Sequence, residues 1–287
     1  MSTIQSTNEG RQRPNRLARE LGAIRAFVLR DMDLTKRYLG WDIVWLVYNL
    51  INACIIGLIG VSSNATPSYV PAGTTFLFYL LVGAIMWSYL SALFIIIAET
   101  VAWERWEGTL EYTFMAPIHR LTHLFGVCTF AVIYGIVRMF LMLAVLVVAF
   151  KLDLSHANLF SALAILVVGS FAMVGLGLIA AVLPLLSPEK GAQGTHIIMA
   201  VILLVSGVYY PIEVLPKWLQ WGAYVSPAFY SLNGMRAALL EGKSVLQLGP
   251  ELGGLALTGV LFIPLGYAIF AWGERYAKRT GLLKRNG

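Results

Sequence analysis

Stretches of about 20 apolar residues recur along nearly the whole chain, and this constrains its fold more than any other feature. Six are read as spans, near 43–61, 76–98, 122–150, 159–186, 195–212 and 252–272. At a rise of about 1.5 Å per residue, each is long enough for a hydrocarbon core about 30 Å thick. A lone strand would leave its backbone groups unpaired in lipid, and the roughly 10-residue alternation of a membrane barrel is absent, so the spans are expected to be helices. With 58% hydrophobic residues and a mean hydropathy of +0.73, little sequence is left for a soluble module. Cys54 and Cys128 both fall inside apolar runs, which suits small buried hydrophobes and neither a disulfide framework nor a metal site. The polar, basic start resembles no cleaved signal peptide, so the first span is expected to act as its own insertion signal.

Basic residues set the expected orientation. Arg11, Arg13, Arg16, Arg19, Arg25, Arg30, Lys36 and Arg37 precede the first span, and Arg275, Lys278, Arg279, Lys284 and Arg285 follow the last. Both termini are therefore expected in the cytoplasm, as an even number of spans requires, within a multi-pass protein of the cell's inner or plasma membrane. The net charge of +6 describes this membrane-facing bias and gives no sign of nucleic acid. Within 16–39, Leu17, Leu21, Ile24, Val28 and Met32 recur at helical spacing among arginines, the pattern of an amphipathic helix lying in the inner interface or solvated beneath it.

The stretch WERWEGTLEYTFMAP, from Trp103 to Pro117, sets three glutamates between two apolar runs in a chain with only 13% charged residues. Taken as a helix, Glu104, Glu107 and Glu111 share one side, beside an apolar stripe of Trp103, Trp106, Leu110 and Phe114. Such a segment is too charged to cross the bilayer and too apolar for an ordinary loop. It reads either as a plain interfacial connector or as a docking helix for a cytoplasmic partner.

Glu104 to Glu111, followed by Ala116-Pro117, resembles the sequence after the second span of the ABC-2 type permeases, membrane subunits of ATP-binding-cassette exporters. Ser206 to Arg236, SGVYYPIEVLPKWLQWGAYVSPAFYSLNGMR, resembles that family's outward loop, in which Leu-Pro leads into a short helical hairpin. The resemblance implies an all-α integral membrane fold of six transmembrane helices, with an N-terminal amphipathic interfacial helix, a cytoplasmic coupling helix and an outward re-entrant helical hairpin. It divides the chain into a cytoplasmic segment 1–42, a transmembrane domain 43–272 and a basic tail 273–287. It further implies two paired permeases, a homodimer or a heterodimer with a related chain, docked in the membrane lipid on two copies of a cytoplasmic ABC ATPase. That partner would hold the ATP and Mg, and this chain no cofactor. Glu104, Glu107, Gly108, Thr109 and Glu111 would be the coupling residues, and Glu213, Trp218, Trp221 and Arg236 would lie at the outward exit.

The nearest phosphate-loop lookalike, ALLEGKS, has Ala237 where the first glycine belongs and lies in an expected outward loop, so no ATPase activity is read into this chain. Arg138, near the middle of the third span, is costly in lipid. It is expected to line a pathway, to pair across a dimer, or to be satisfied by snorkelling or nearby carbonyls. His119 and His123 are four apart near Glu104 and Glu107, but without a closing shell they are not read as a metal site. Ser170, Ser187 and Ser206 are isolated, so no catalytic site is expected. Scarce charge in the spans favours export of a hydrophobic or amphiphilic drug, lipid or lipid-linked compound. A polysaccharide or glycolipid cargo is the alternative within the family. A secondary transporter driven by an ion gradient is the alternative outside it, disfavoured because the six spans carry no carboxylate apart from Glu99 near an inner boundary.

Overall fold

A computed structural model describes residues 16–63, 67–71, 74–108, 115, 120–187 and 190–280, and every regular element among them is helical. The chain enters through α1 (Arg16–Arg37) and, after a break at Tyr38, α2 (Leu39–Ser62). α3 (Phe76–Trp106) and α4 (Arg120–Phe150) are 31 residues each. α5 (Leu159–Ala180), α6 (Val182–Leu186) and α7 (Gly191–Val205) follow. A 3-10 turn at Ile212–Val214 leads to α8 (Lys217–Val225), α9 (Pro227–Leu240) and the 32-residue α10 (Gly249–Thr280).

Five segments are long and apolar enough to cross a membrane: Leu39–Ser62, Phe76–Thr100, Thr122–Phe150, Leu159–Leu186 and Gly249–Thr280. The run expected to span at 195–212 instead forms the 15-residue α7, about 22 Å long, which stops where Gly207 turns with φ +67° and Pro211 follows. The run at 159–186 breaks once. Pro184 has no N–H to offer the Ala180 carbonyl and its ring crowds that oxygen, so α5 ends at Ala180 and α6 restarts at Val182.

α3 and α5 form the centre, with Leu81, Leu90, Leu93, Phe94, Ile165 and Leu166 almost wholly excluded from solvent. Tyr89 and Ser170 join the two helices through their hydroxyls. The most extensive interhelical contact is α5 on α10. A Cβ on Gly175 would stand 2.5 Å from the Phe262 carbonyl carbon, and one on Gly266 would stand 2.5 Å from the Gly175 oxygen. Side chains of one hydrogen let the two backbones touch, which matters in lipid, where helix association gains little from burying apolar surface. α2 lies outermost, with Trp41, Trp45, Ile51, Ile55 and Leu58 exposed.

α1 leans on the start of α4 through Ile24 and Phe27, and Gly126 makes room for the Phe27 Cβ. Its sequence-expected apolar stripe is therefore only partly used: Ile24 and Val28 are half-buried, while Leu21 and Met32 are exposed. Where a hairpin was expected, the chain forms an exposed α8 and a buried α9, with nothing among the described residues that fixes the side of the membrane on which they lie. α9 packs against α3, α5 and α10.

Replacing Gly175 by alanine should lower thermal stability by about 1–3 kcal/mol, because the new methyl meets backbone that cannot turn aside. Gly253→Ala, with nothing within 4 Å of its Cβ position, should leave it unchanged or slightly raised. The measurement is the monodisperse fraction surviving heating in detergent, and equal melting of the two variants would refute the close-packing account.

Candidate coupling site

α3 does not end with its span. The helix continues to Trp106, so Trp103, Glu104 and Trp106 belong to its foot and not to a separate surface helix. Gly108 then adopts φ +72°, the left-handed conformation that closes a helix and that a residue without a Cβ enters at least cost. Glu107 lies at this turn, exposed, with its N–H bonded to the Trp103 carbonyl at 2.9 Å. Thr109 and Glu111 lie outside the described residues, as does His119.

Glu104 and Glu107 do not share a wet face. Glu104 is only 4% exposed and faces α1 and α4. Its Oε1 accepts from Arg30 Nη1 at 3.0 Å and from His123 Nε2 at 2.8 Å. An ionised carboxylate only accepts, so the His123 proton sits on Nε2. Arg30 also pairs with Asp31 at 2.9 Å and lies 5.1 Å above the Phe27 ring, which in turn packs on His123 at 4.8 Å between centroids. The Thr122 hydroxyl donates to Glu20, nearly three turns before Arg30 on α1. Three helices thus meet in one polar node at the foot of α3.

The electrostatics of the node follow from its composition. Burial alone would raise the Glu104 carboxyl, but the His123 hydrogen bond and the Arg30 charge outweigh it and hold the pKa below the ordinary 4.5. For Arg30, burial pulls downward, and Asp31 with Glu104 more than offsets it, so the guanidinium is raised. Asp31 moves up because its burial exceeds what the neighbouring Arg30 returns.

Arg138 finds its partner within the chain. Nη1 lies 3.3 Å from Asp42 Oδ1, and the Tyr134 hydroxyl donates to the same oxygen. Sequence reasoning missed Asp42 because the first span was started at 43, whereas α2 begins four residues earlier. Glu99, at the end of the second span, stands 3.7 Å from the His196 imidazole. No group of three or more His, Cys, Asp or Glu able to hold a metal occurs among the described residues.

Two of the four residues expected at the exit share a cavity of about 340 Å³. Glu213 and Arg236 line it, whereas Trp218 and Trp221 stand outward on α8. Arg236 is buried, donating to the Gly207 and Val208 carbonyls at 3.1 and 2.5 Å, with its guanidinium carbon 3.8 Å from the centre of the Tyr79 ring. Lys243 of the phosphate-loop lookalike pairs with Glu241 at 2.8 Å.

Loss of a partner from a buried ion pair costs about 3–5 kcal/mol, so Glu104→Gln should destabilise the protein by a comparable amount near neutral pH. Because the folded-state pKa is lowered, the carboxylate's contribution is complete above 4.5 and fades as pH falls through the depressed value. The gap in melting temperature between wild type and Glu104→Gln should shrink on acidification below that point, and a constant gap would contradict the node. Asp42→Asn should destabilise by leaving the Arg138 charge uncompensated, at about 2.5–3.5 kcal/mol on insertion scales, and adding Arg138→Leu should recover most of the loss. The same melts test this, and additive losses in the double variant would exclude the pairing.

No curated protein matches the chain. The family model described as ABC-2 type transporter matches residues 28–240, from the middle of α1 to the end of α9, and so takes in the node, the Arg138 pair and most of the cavity lining. The chain belongs to the ABC-2 type transporter family.

Proposed function

We propose that the protein is the transmembrane permease subunit of an ATP-binding-cassette exporter. Two permeases, identical or related, would pair in the membrane, each docked on its own copy of a separate cytoplasmic ATPase that binds the ATP and Mg. In this reading α7 makes a sixth, short crossing, the α8–α9 pair is the outward hairpin, and both termini are cytoplasmic. The cargo is hydrophobic or amphiphilic, such as a drug, a lipid or a lipid-linked compound.

The observation that carries the proposal is the Arg30–Glu104–His123 node. It fastens α1 and α4 to the foot of α3 immediately before the chain breaks at Gly108. A force applied at the exposed Glu107 turn would therefore move three helices as one body, because the node beneath it is buried and satisfied from both neighbours. A plain loop at this place would absorb the displacement. Trp103 and Trp106, 53% and 78% exposed, give the foot an apolar surface for an interface core, and Glu107 gives it a charge for the rim.

The experiment is co-expression and co-purification with a candidate cytoplasmic ABC ATPase, followed by reconstitution. Charge reversal at Glu107, alone or with Glu111, should weaken association at least about tenfold or uncouple hydrolysis from transport. Transport by the permease in vesicles that contain no ATPase would refute the proposal.

A further inference from the structure

Five charged residues line the cavity beside Arg236: Glu241 and Lys243 pair with each other, which leaves one cation, Arg236, and two carboxylates, Glu213 and Glu251, without an ion pair among the described residues. On one side is Arg236, with 6% of its surface exposed. Two of its nitrogens hold backbone carbonyls, its face lies on Tyr79, and Nε has no hydrogen-bond partner. No carboxylate pairs with it among the described residues. On the other side Glu213 is exposed and likewise makes no ion pair among them. Tyr79 and Tyr69 line the same cavity and pack on each other at 5.6 Å between centroids. A ligand there thus meets a cation, phenol groups and carboxylates within one cavity.

A volume of about 340 Å³ falls in the range of small-molecule sites, about 300–1,000 Å³. Val214 follows Glu213 in the chain, and Trp218 and Trp221 lie on α8, which packs on that turn; each is more than 70% exposed, and tryptophan favours the border between lipid tails and water. We infer that this cavity binds the headgroup of a zwitterionic amphiphile, its phosphoester towards Arg236 and its ammonium towards Glu213. A purely anionic headgroup would satisfy Arg236 but face Glu213 with like charge. A purely cationic one would do the reverse. Guanidinium matches a phosphate oxyanion, and the carboxylate matches an ammonium, so only a headgroup carrying both leaves neither pole opposed. As a claim about cargo this rests on the exporter reading, whereas binding itself needs no ATPase.

The full chain in nanodiscs made only of phosphatidylglycerol is titrated with lysophosphatidylethanolamine, lysophosphatidylglycerol and soluble phosphoethanolamine, and binding is followed by tryptophan fluorescence. Lysophosphatidylethanolamine should bind saturably and at least about tenfold tighter than lysophosphatidylglycerol, a difference of about 1.4 kcal/mol. Glu213→Gln should abolish that preference while melting like the wild type. Tyr69→Phe, which leaves the Arg236 carbonyl clamp intact, should weaken both lipids. Competition by phosphoethanolamine would show that the free headgroup suffices, and its failure to compete would assign the site to the lipid; either agrees with the inference. Equal affinity for the two lysolipids, or a preference that survives Glu213→Gln, would overturn it. ATPase association at the Glu107 turn is a separate readout, so failure here leaves the exporter reading standing.

Discussion

Hydrocarbon offers a backbone no hydrogen bonds, and the plan of this protein follows from that deficiency. Protein covers the helix breaks near Pro184 and at the end of α7. At Ala181 the N–H returns to the Gly177 carbonyl, and the kink at Pro184 is packed by Gly191, whose Cβ position is only 2.3 Å from the Pro184 Cα. At the end of α7 the Gly207 and Val208 carbonyls lie beyond the helix and are taken up by Arg236. That arrangement fixes α3 as well. Gly83 faces the Val208 oxygen, and a methyl there would lie 2.5 Å from it and 2.8 Å from Arg236 Nη2. A guanidinium inside a greasy bundle is thus explained by the backbone it completes.

The same requirement decided what could be read from the chain beforehand. Helices at 43–61, 76–98, 122–150 and 252–272 were legible because a long apolar run has one stable conformation in lipid, and each observed helix covers its run. The end of α7 was not, because Val208 to Tyr210 is as apolar as a helix but sits between Gly207 and Pro211, and the turn depends on Arg236 more than 20 residues away. Helical periodicity grouped Glu104 with Glu107, since residues three apart are neighbours on an ideal helix. It could not reveal that Glu104 meets Arg30, 74 positions earlier, or that the helix ends before Glu107 completes a further turn. His123 carried a weak signal, a polar residue at the start of a span. Asp42 carried a stronger one, since an arginine inside a span calls for a nearby acid, and a boundary set one residue too late hid it.

The polar groups of the bundle therefore sort by what they satisfy. Arg138 and Asp42 pair their charges across α2 and α4. Arg236 satisfies backbone, and its positive charge stays unmatched. Glu104 is matched by Arg30 and His123 and joins three helices. Buried pairs add little net stability once desolvation is counted, but removing one member is expensive, so each fixes the relative position of its helices more than it strengthens them.

Two of these arrangements sit on the same rod. Tyr79 and Gly83 lie near one end of α3 and Glu104 near the other, about 38 Å apart at 1.5 Å per residue, with no proline in the helix between them. Its central side chains, Leu90, Leu93 and Phe94, are fully enclosed, so α3 is held along its middle by close packing as well as at both ends. A shift of the foot has no proline kink in α3 at which to be absorbed. It must either slide α3 against α5, where the Tyr89–Ser170 hydroxyl contact resists, or carry the Tyr79 ring relative to Arg236. The second route needs no buried hydrogen bond of α3 to break, because an arginine stacked on a ring keeps its two carbonyl partners while the ring slides beneath it.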